Sequence, residues 1–348
     1  MGVLYATREE VKEALDFKET ARANRQIDRA LEAASRSVEA LCHRRFYPEV
    51  ATRLFDWPNG QHARPWRLWL DANELISVTA LSAGGEVIAS TDYFLEPNEY
   101  GPPYNRVEID LSSSSAFGGG DTHQRSISIS GLFGYRNDET QVADLDGGIT
   151  ASATSIDVAT APGIGVGSLL RVDSERMLVT ERLMKDTFVD LTVALTASNA
   201  DVTLTGVSTG FSVDEVILID SERMLIVDKS PTALTVKRAW DGSVIAAHSI
   251  GAGINALRTL TVTRAALGTT AATHSSGADV YRWDPPGPVR TLVVGQAIST
   301  LTSEQSGYSR VKRSGESTGE RARDTSAISV LRDQVYDSHG RKARLRGV

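Results

Sequence analysis

The chain has one cysteine, Cys42, in 348 residues. No internal disulfide and no cysteine-based zinc cage can form, and synthesis in a reducing compartment is expected. Cys42 itself reads as a small buried helix residue. No apolar run approaches the roughly 20 residues that a bilayer-spanning helix needs. The opening MGVLYATREEVKEALDFKE carries charges where a signal peptide would have its apolar core, so neither secretion nor membrane insertion is expected. The six histidines are scattered. There is no G-x-S-x-G, no Walker loop and no H-E-x-x-H, so no enzymatic activity, cofactor or metal is expected. A broad basic character is missing too. The net charge is −7, and the ten Lys/Arg against five Asp/Glu from Arg310 onward make only the tail basic, leaving −12 for residues 1–309. An acidic body argues against general nucleic-acid binding, which needs a basic face to neutralise phosphates.

What is present is globular. Hydrophobic residues are 41% and charged residues 23% of a chain long enough for two or three cores. Thr7-Arg8-Glu9-Glu10 fits a capping box and predicts a short helix. Ile27, Leu31, Ala34, Val38 and Leu41 fall at helical spacing between Asn24 and Arg45, and Pro48 closes that helix. Residues 52–135 then read as antiparallel sheet, with short β-type runs between turn phrases such as PNG, AGG and PPYN. SSSSAFGGGD at 112–121 reads as a flexible loop tip. A phosphate-cradling role would need a following helix there. After the proline cluster at 285–288, Val294, Ile298 and Leu301 predict a buried helix. Residues 308–320 read as a linker, and Ile328, Leu331 and Val335 as the apolar face of a last helix before Gly340.

Two phrases recur. VDSERMLV at 172–179 returns as IDSERMLI at 219–226, a shift of 47, and LTVKRAWDGSVIAAHSIGAGI at 234–254 returns at 260–280 with a shift of 26 and 11 of 21 positions identical. Alternating Val, Leu, Ile and Thr predict strands, with turns at Asp173-Ser174 and Asp241-Gly242. The expectation is a compact pseudo-symmetric β-domain over about 145–282. Glu175 and Glu222 make a carboxylate pair of the kind glycoside hydrolysis uses, but an ion-paired or solvated hairpin role is the simpler reading, because acid/base work needs a cleft. His248 and His274 hold equivalent places before Gly-Ala pairs, where a turn-stabilising hydrogen bond explains them better than a metal that lacks further ligands. Trp57, Trp66 and Trp69 are read as core filling, with a sugar- or protein-binding face as the alternative.

Residues 5–59, with the phrase RRFYPE at 44–49, then YFLEPNEYGPPYNRVEIDL, ISGLFGYRN and the run from Pro285 to Tyr308, resemble head-to-tail adaptor proteins (connector or head-completion proteins) of long-tailed bacteriophages. The likeness covers roughly 5–140 and 283–348. The duplicated segment departs from the compact adaptors and is then an insertion, though similar SERMLV and RAWDGS phrases are typical of phage virion proteins. The resemblance implies an α+β chain. It would have a small N-terminal helical bundle over 1–50 completed by 284–310, and antiparallel β-hairpins over 51–140. An inserted pseudo-repeated all-β domain would occupy 141–283, with a linker, C-terminal docking helix and basic tail over 311–348.

It further implies a structural virion neck protein, made in the host cytoplasm. Such a protein forms a homo-oligomeric ring, usually of twelve subunits, between the portal protein and a downstream neck or tail-terminator protein. Genomic DNA passes through the lumen without sequence-specific binding, and no membrane is involved. On this view the C-terminal segment leaves its subunit and docks into the portal, with Ile328, Leu331, Val335 and Tyr336 packing and Arg341, Lys342, Arg344 and Arg346 supplying charge. The alternatives are another virion part, at the tail tip or as decoration, or a carbohydrate-binding or carbohydrate-active module in the duplicated β-domain.

Overall fold

The computed structural model describes residues 2–15, 21–58, 64–305 and 318–341. They form a mixed, mostly antiparallel chain that divides into two compact units. The first comprises Met1–Val38, Glu139–Ala266 and Thr270–Asp333, and the second Glu39–Asp138, Leu267–Thr269 and Gln334–Val348. Most of the helical segments thus fall in the same unit as the duplicated β-region. Among the described residues no helix is long and apolar enough to cross a membrane.

Helix α1 (Arg8–Leu15) starts at the capping box. The Thr7 amide donates to Glu10 Oε2 at 2.7 Å while the Glu10 amide reaches back to Thr7 Oγ1 at 3.4 Å, two otherwise unmet donors satisfied for about 1 kcal/mol. In α2 (Ala21–Cys42) the expected stripe is buried at Ile27, Leu31, Ala34 and Val38. Helix α3 (Gly287–Gln305) carries Pro288 in its first turn, where a missing N–H costs nothing. Its buried stripe is Val289, Leu292, Val293, Ala297 and Leu301. The expected Val294 and Ile298 lie half-buried at the margin of that stripe, because the helix begins early enough to turn residues 292 and 293 inward.

In the second unit, β1 (Glu49–Phe55), β3 (Leu75–Ala83), β4 (Glu86–Ile88) and β7 (Ile127–Phe133) form a four-stranded sheet in the order β1-β7-β3-β4. A three-stranded sheet is built from β2 (Arg67–Trp69), β5 (Tyr93–Glu96) and β6 (Arg106–Ile109) in the order β2-β6-β5. Their shared core includes Leu70, Leu75, Val107, Ile127, Ile129 and Phe133. Gly131 sits where β3 bulges toward β7, and a Cβ there would lie 2.2 Å from the Ser77 carbonyl oxygen. The 112–121 segment is not a free tip. Phe117 is buried in this core, and Gly119 and Gly120 pack against Trp57 and Gly84. Trp57 and Trp66 pack partly buried against the same core, and Trp69 carries the Arg106 guanidinium 5.4 Å above its ring.

The β-region of the first unit is one ten-stranded sheet. It comprises β8 (Glu139–Asp144), β9 (Ser155–Asp157), β10 (Leu169–Val172), β11 (Glu175–Asp190), β12 (Thr203–Thr205), β13 (Val216–Ile219), β14 (Glu222–Lys229), β15 (Ala233–Lys237), β16 (Gly253–Thr263) and β17 (Asp279–Trp283). Every pairing occurs twice. Val172↔Glu175 matches Ile219↔Glu222, Val179↔Val262 matches Ile226↔Val236, Val172↔Val280 matches Ile219↔Ile254, and Asp279↔Asp144 matches Gly253↔Asp190. These pairs define two copies of one module, and the second is nested inside the first. Copy 1 uses β8, β9, β10, the start of β11, the end of β16 and β17. Copy 2 uses the end of β11, β12, β13, β14, β15 and the start of β16. Each copy has its own apolar core, one around Leu170, Val172, Met177 and Val280, the other around Ile217, Ile219, Met224 and Ile254. The chain order is first half, first half, second half, second half, which is why the two repeats recur at unequal shifts.

Candidate functional site: two buried glutamate clasps

Each copy folds its repeated phrases onto one carboxylate. In copy 1 the two-residue turn Asp173-Ser174 joins β10 to β11 with Asp173 left-handed at φ 50°, a conformation aspartate tolerates better than most residues. The turn delivers Glu175 fully buried to the centre of the module. There Arg264 forks onto it, Nε to Oε1 and Nη2 to Oε2, both at 2.7 Å. The amides of Ala265 and Ala272 add bonds of 3.0 and 2.9 Å, and His274 Nε2 lies 2.9 Å from Oε2. The other ring nitrogen of His274 faces Asp173 Oδ2 at 2.7 Å, so the ring ties the hairpin turn back to the carboxylate.

Copy 2 repeats this atom for atom. Glu222 accepts from Arg238 at 2.8 and 2.7 Å, from the Ala239 and Ala246 amides at 2.9 Å, and pairs with His248 at 3.0 Å, whose Nδ1 lies 2.7 Å from Asp220. Both arginines use all five N–H donors. Arg264 gives the rest to the carbonyls of Thr150, Ala153 and Ala272, and Arg238 to those of Thr196, Asp201 and Ala246.

The clasp also holds strained backbone. Ala265 and Leu267, like Ala239 and Asp241, have φ between 52° and 54°, a region that costs a non-glycine residue about 1–3 kcal/mol unless its surroundings over-determine it. The amide of the first residue in each turn is the one bonded to the glutamate. Gly268 closes the copy 1 turn at φ 78°, and a Cβ there would fall 1.9 Å from the Val50 carbonyl oxygen.

Burial by itself would raise the two glutamates. The arginine fork, the histidine and the paired amides reverse that and hold Glu175 and Glu222 at about 2. A carboxylate this acidic cannot serve as a general acid, and with its lone pairs taken and no exposed surface it has no place for a substrate proton. Glu175 and Glu222 are thus sealed ion-paired hubs, neither solvated nor in a cleft. The histidines do make the turn bonds expected of them, to Asp173 and Asp220. Each ring bridges two carboxylates through opposite nitrogens, so the oxygens do not converge on one point. Among the described residues no group of three or more His, Cys, Asp or Glu is placed to hold a metal ion. Arg238 and Arg264 escaped the sequence reading, although both stand at matching positions of the second repeat.

A cavity of about 310 Å³ lies in the same unit, lined by Arg8, Glu9, Lys12, Arg182, Trp240 and Asp241 among others. Several of its charges are matched in pairs. Arg8 meets Asp28 at 2.7 Å, Lys12 meets Asp241 at 3.6 Å, Arg182 meets Glu9 at 3.6 Å, and Arg290 meets Glu10. Burial lowers Lys12 and raises Asp241, each partly offset by the other.

The residues expected to dock elsewhere are divided by the structure. Helix α4 (Thr318–His339) ends in a socket of the second unit. Val335 is completely buried there. Tyr135 Oη lies 3.2 Å from His339 Nδ1, and the His339 ring meets Phe46 and Tyr135 edge-on at 6.3 and 5.7 Å. The Arg341 amide donates to the Cys42 carbonyl at 2.9 Å, and its guanidinium donates to the Asp71 carbonyl and stands 3.9 Å from Glu74. Val335 and Arg341 thus make contacts within the chain itself. Ile328 and Leu331 are half-buried and Tyr336 is exposed. Lys342, Arg344 and Arg346 lie outside the described residues. No family model, no curated protein and no solved structure matches this chain.

Proposed function

We propose that the chain is a non-enzymatic structural subunit of a bacteriophage neck, forming a ring between portal and tail that keeps the DNA channel continuous. One observation carries the reading. The phrase behind the resemblance, RRFYPE at 44–49, is the one that builds the socket: Arg44 lies 4.7 Å over the Tyr135 ring and 3.1 Å from Glu74, and Phe46 meets both Tyr135 and His339. The residues that look like an adaptor thus have a concrete task, fixing the point from which the basic tail departs.

In this reading α1, α2 and α3 form the small bundle, the strands of 49–133 the hairpin region, and the duplicated module an insertion carried by the ring. The tail from Lys342, with Arg344 and Arg346, reaches the portal, and Ile328, Leu331 and Tyr336 add packing. The downstream face meets a neck or tail-terminator protein, and DNA passes through the lumen without sequence-specific contacts. The mature location is the virion.

Imaging the purified protein with its portal tests this. A ring of about twelve-fold symmetry seated on the portal is expected, and removal of residues 342–348 should abolish seating while leaving the thermal melting of the chain unchanged. Three-fold particles at a tail tip, or full seating by the truncated chain, would overturn it. The burial of Glu175 and Glu222, the carboxylates that a glycoside-hydrolase reading would use, favours the structural reading.

A further inference from the structure

The cavity of about 310 Å³ has the size of a small-ligand pocket. Three of its arginines are closed. Arg8 and Arg282 each hold a carboxylate at 2.7 Å, and Arg290 holds Glu10. Arg182 differs. Its side chain is only 8% exposed, yet Nη2 alone is bonded, to the carbonyls of Ala161 and Leu257 at 3.2 and 3.3 Å. Among the described residues no acceptor reaches Nε, and Nη1 has only Glu9 Oε1 at 3.6 Å, beyond hydrogen-bond range. Arg264, buried to the same degree, uses all five of its donors. An arginine cannot shed its proton to relieve such a deficit, and a buried donor left without an acceptor costs more than an ordinary bond returns.

The acids nearby are engaged elsewhere. Glu9 takes the Val166 amide on its other oxygen at 2.8 Å, so it is held back from Arg182. Lys12 lies three residues further along α1, on the same helix face, and stands 3.6 Å from Asp241, which holds Arg223 at 3.0 Å. Two cations thus line the cavity, each loosely matched by an acid bonded to another group. The burial that lowers Lys12 has the same meaning, since its charge is short of counter-charge. Val216, Leu225, Leu257 and Trp240 give the cavity an apolar lining as well. We propose that this cavity is a binding site for a small organic carboxylate, its charge held by Arg182 and Lys12 and its apolar body laid along Trp240 and the aliphatic lining. A carboxylate supplies the acceptors that Arg182 lacks, and a bond to an ionised partner is about twice as strong as a neutral one. An inorganic anion would meet the charge and leave the apolar lining unused. Bound there, the ligand ties α1 to β11 and to the clasp turn of copy 2. The site goes beyond the ring reading and does not depend on it.

The test uses the full chain with sodium benzoate and sodium pentanoate, one aromatic and one aliphatic carboxylate. Each is titrated by calorimetry and followed in thermal melting, with sodium chloride at equal ionic strength as the blank. Saturable binding that raises the melting midpoint is expected from at least one of them. Benzamide and pentanamide, which keep the shape and lack the charge, should not bind. Arg182→Met should weaken carboxylate binding by about tenfold or more, the scale of a lost hydrogen bond to a charged group. Should Arg182→Met fail to fold, Leu225→Trp, which fills the cavity from its apolar side, should abolish binding in a chain that still melts cooperatively. No binding by either carboxylate, a shift that chloride or the amides reproduce, or an affinity untouched in whichever variant folds overturns the site.

Discussion

The two copies of the β-module keep their interiors and change their surfaces. Glu175, Arg264, His274 and Asp173 are matched by Glu222, Arg238, His248 and Asp220, with the same donors on the same atoms. Outside, Val142 of copy 1 answers to Phe188, Gly147 to Val193, Thr270 to Val244 and Ser276 to Ile250, and all four residues of copy 2 are exposed, Phe188 by 87% and Ile250 by 68%. A buried charge tolerates no partial change, because losing one donor leaves an ion in a dry interior. An exposed position feels only solvent, so it drifts or is recruited. The turn before each clasp shows the same freedom. Leu267 in copy 1 becomes Asp241 in copy 2, where it reaches Arg223 at 3.0 Å and Lys12 at 3.6 Å.

The largest expected effect would break the symmetry of the comparison. Glu222→Ala and Glu175→Ala should each cost about 3–5 kcal/mol, the usual loss when a buried ion pair is broken from one side. The losses should be distributed unequally. Copy 2 hangs on the continuations of β11 and β16, so Glu222→Ala should open copy 2 alone, while Glu175→Ala should open both. Amide hydrogen exchange read separately over 139–181 and 203–237 decides this, and equal patterns for the two variants would refute the nested dependence.

Acid should act on both copies alike. The folded glutamates titrate at about 2 against an ordinary 4.5. A depressed carboxylate contributes stability that is complete above its unfolded value and is lost as pH falls from about 4.5 toward 2. The linkage amounts to about 3 kcal/mol per copy. Urea midpoints at pH 6, 4 and 2.5 should fall accordingly, and Glu175→Gln should remove roughly half of that slope.

The smallest effect concerns the surface. Giving copy 2 the residues of copy 1, Val244→Thr with Ile250→Ser, should move stability by no more than about 0.5 kcal/mol in thermal melting. A larger loss would mean that these side chains support the module.

Much of the local structure was legible in the chain. The capping box at Thr7, the stripe of α2 and the Asp-Ser turns all rest on contacts within a few residues, and each is where pattern and propensity put it. The stripe of α3 was displaced because its helix begins before the apolar run. The 112–121 segment was misread because its composition speaks of flexibility, while one residue, Phe117, finds a core. The clasps were half legible. Their histidines and glutamates stood out as repeated, but the arginines that neutralise them did not, and the unequal shifts of 47 and 26 already contained the nesting.

The sequence by itself determined which phrases are equivalent, where turns and helix starts fall, and that one end of the chain is basic. Only the tertiary structure decided which halves belong together. In copy 2 the glutamate and arginine are 16 residues apart, and in copy 1 they are 89 apart. Identical chemistry is local in one case and long-range in the other, because a whole module was threaded between the partners. Bonds over such a span depend on the path of the backbone in space, and so does the socket that gathers Cys42, Asp71, Tyr135 and His339 around the end of α4.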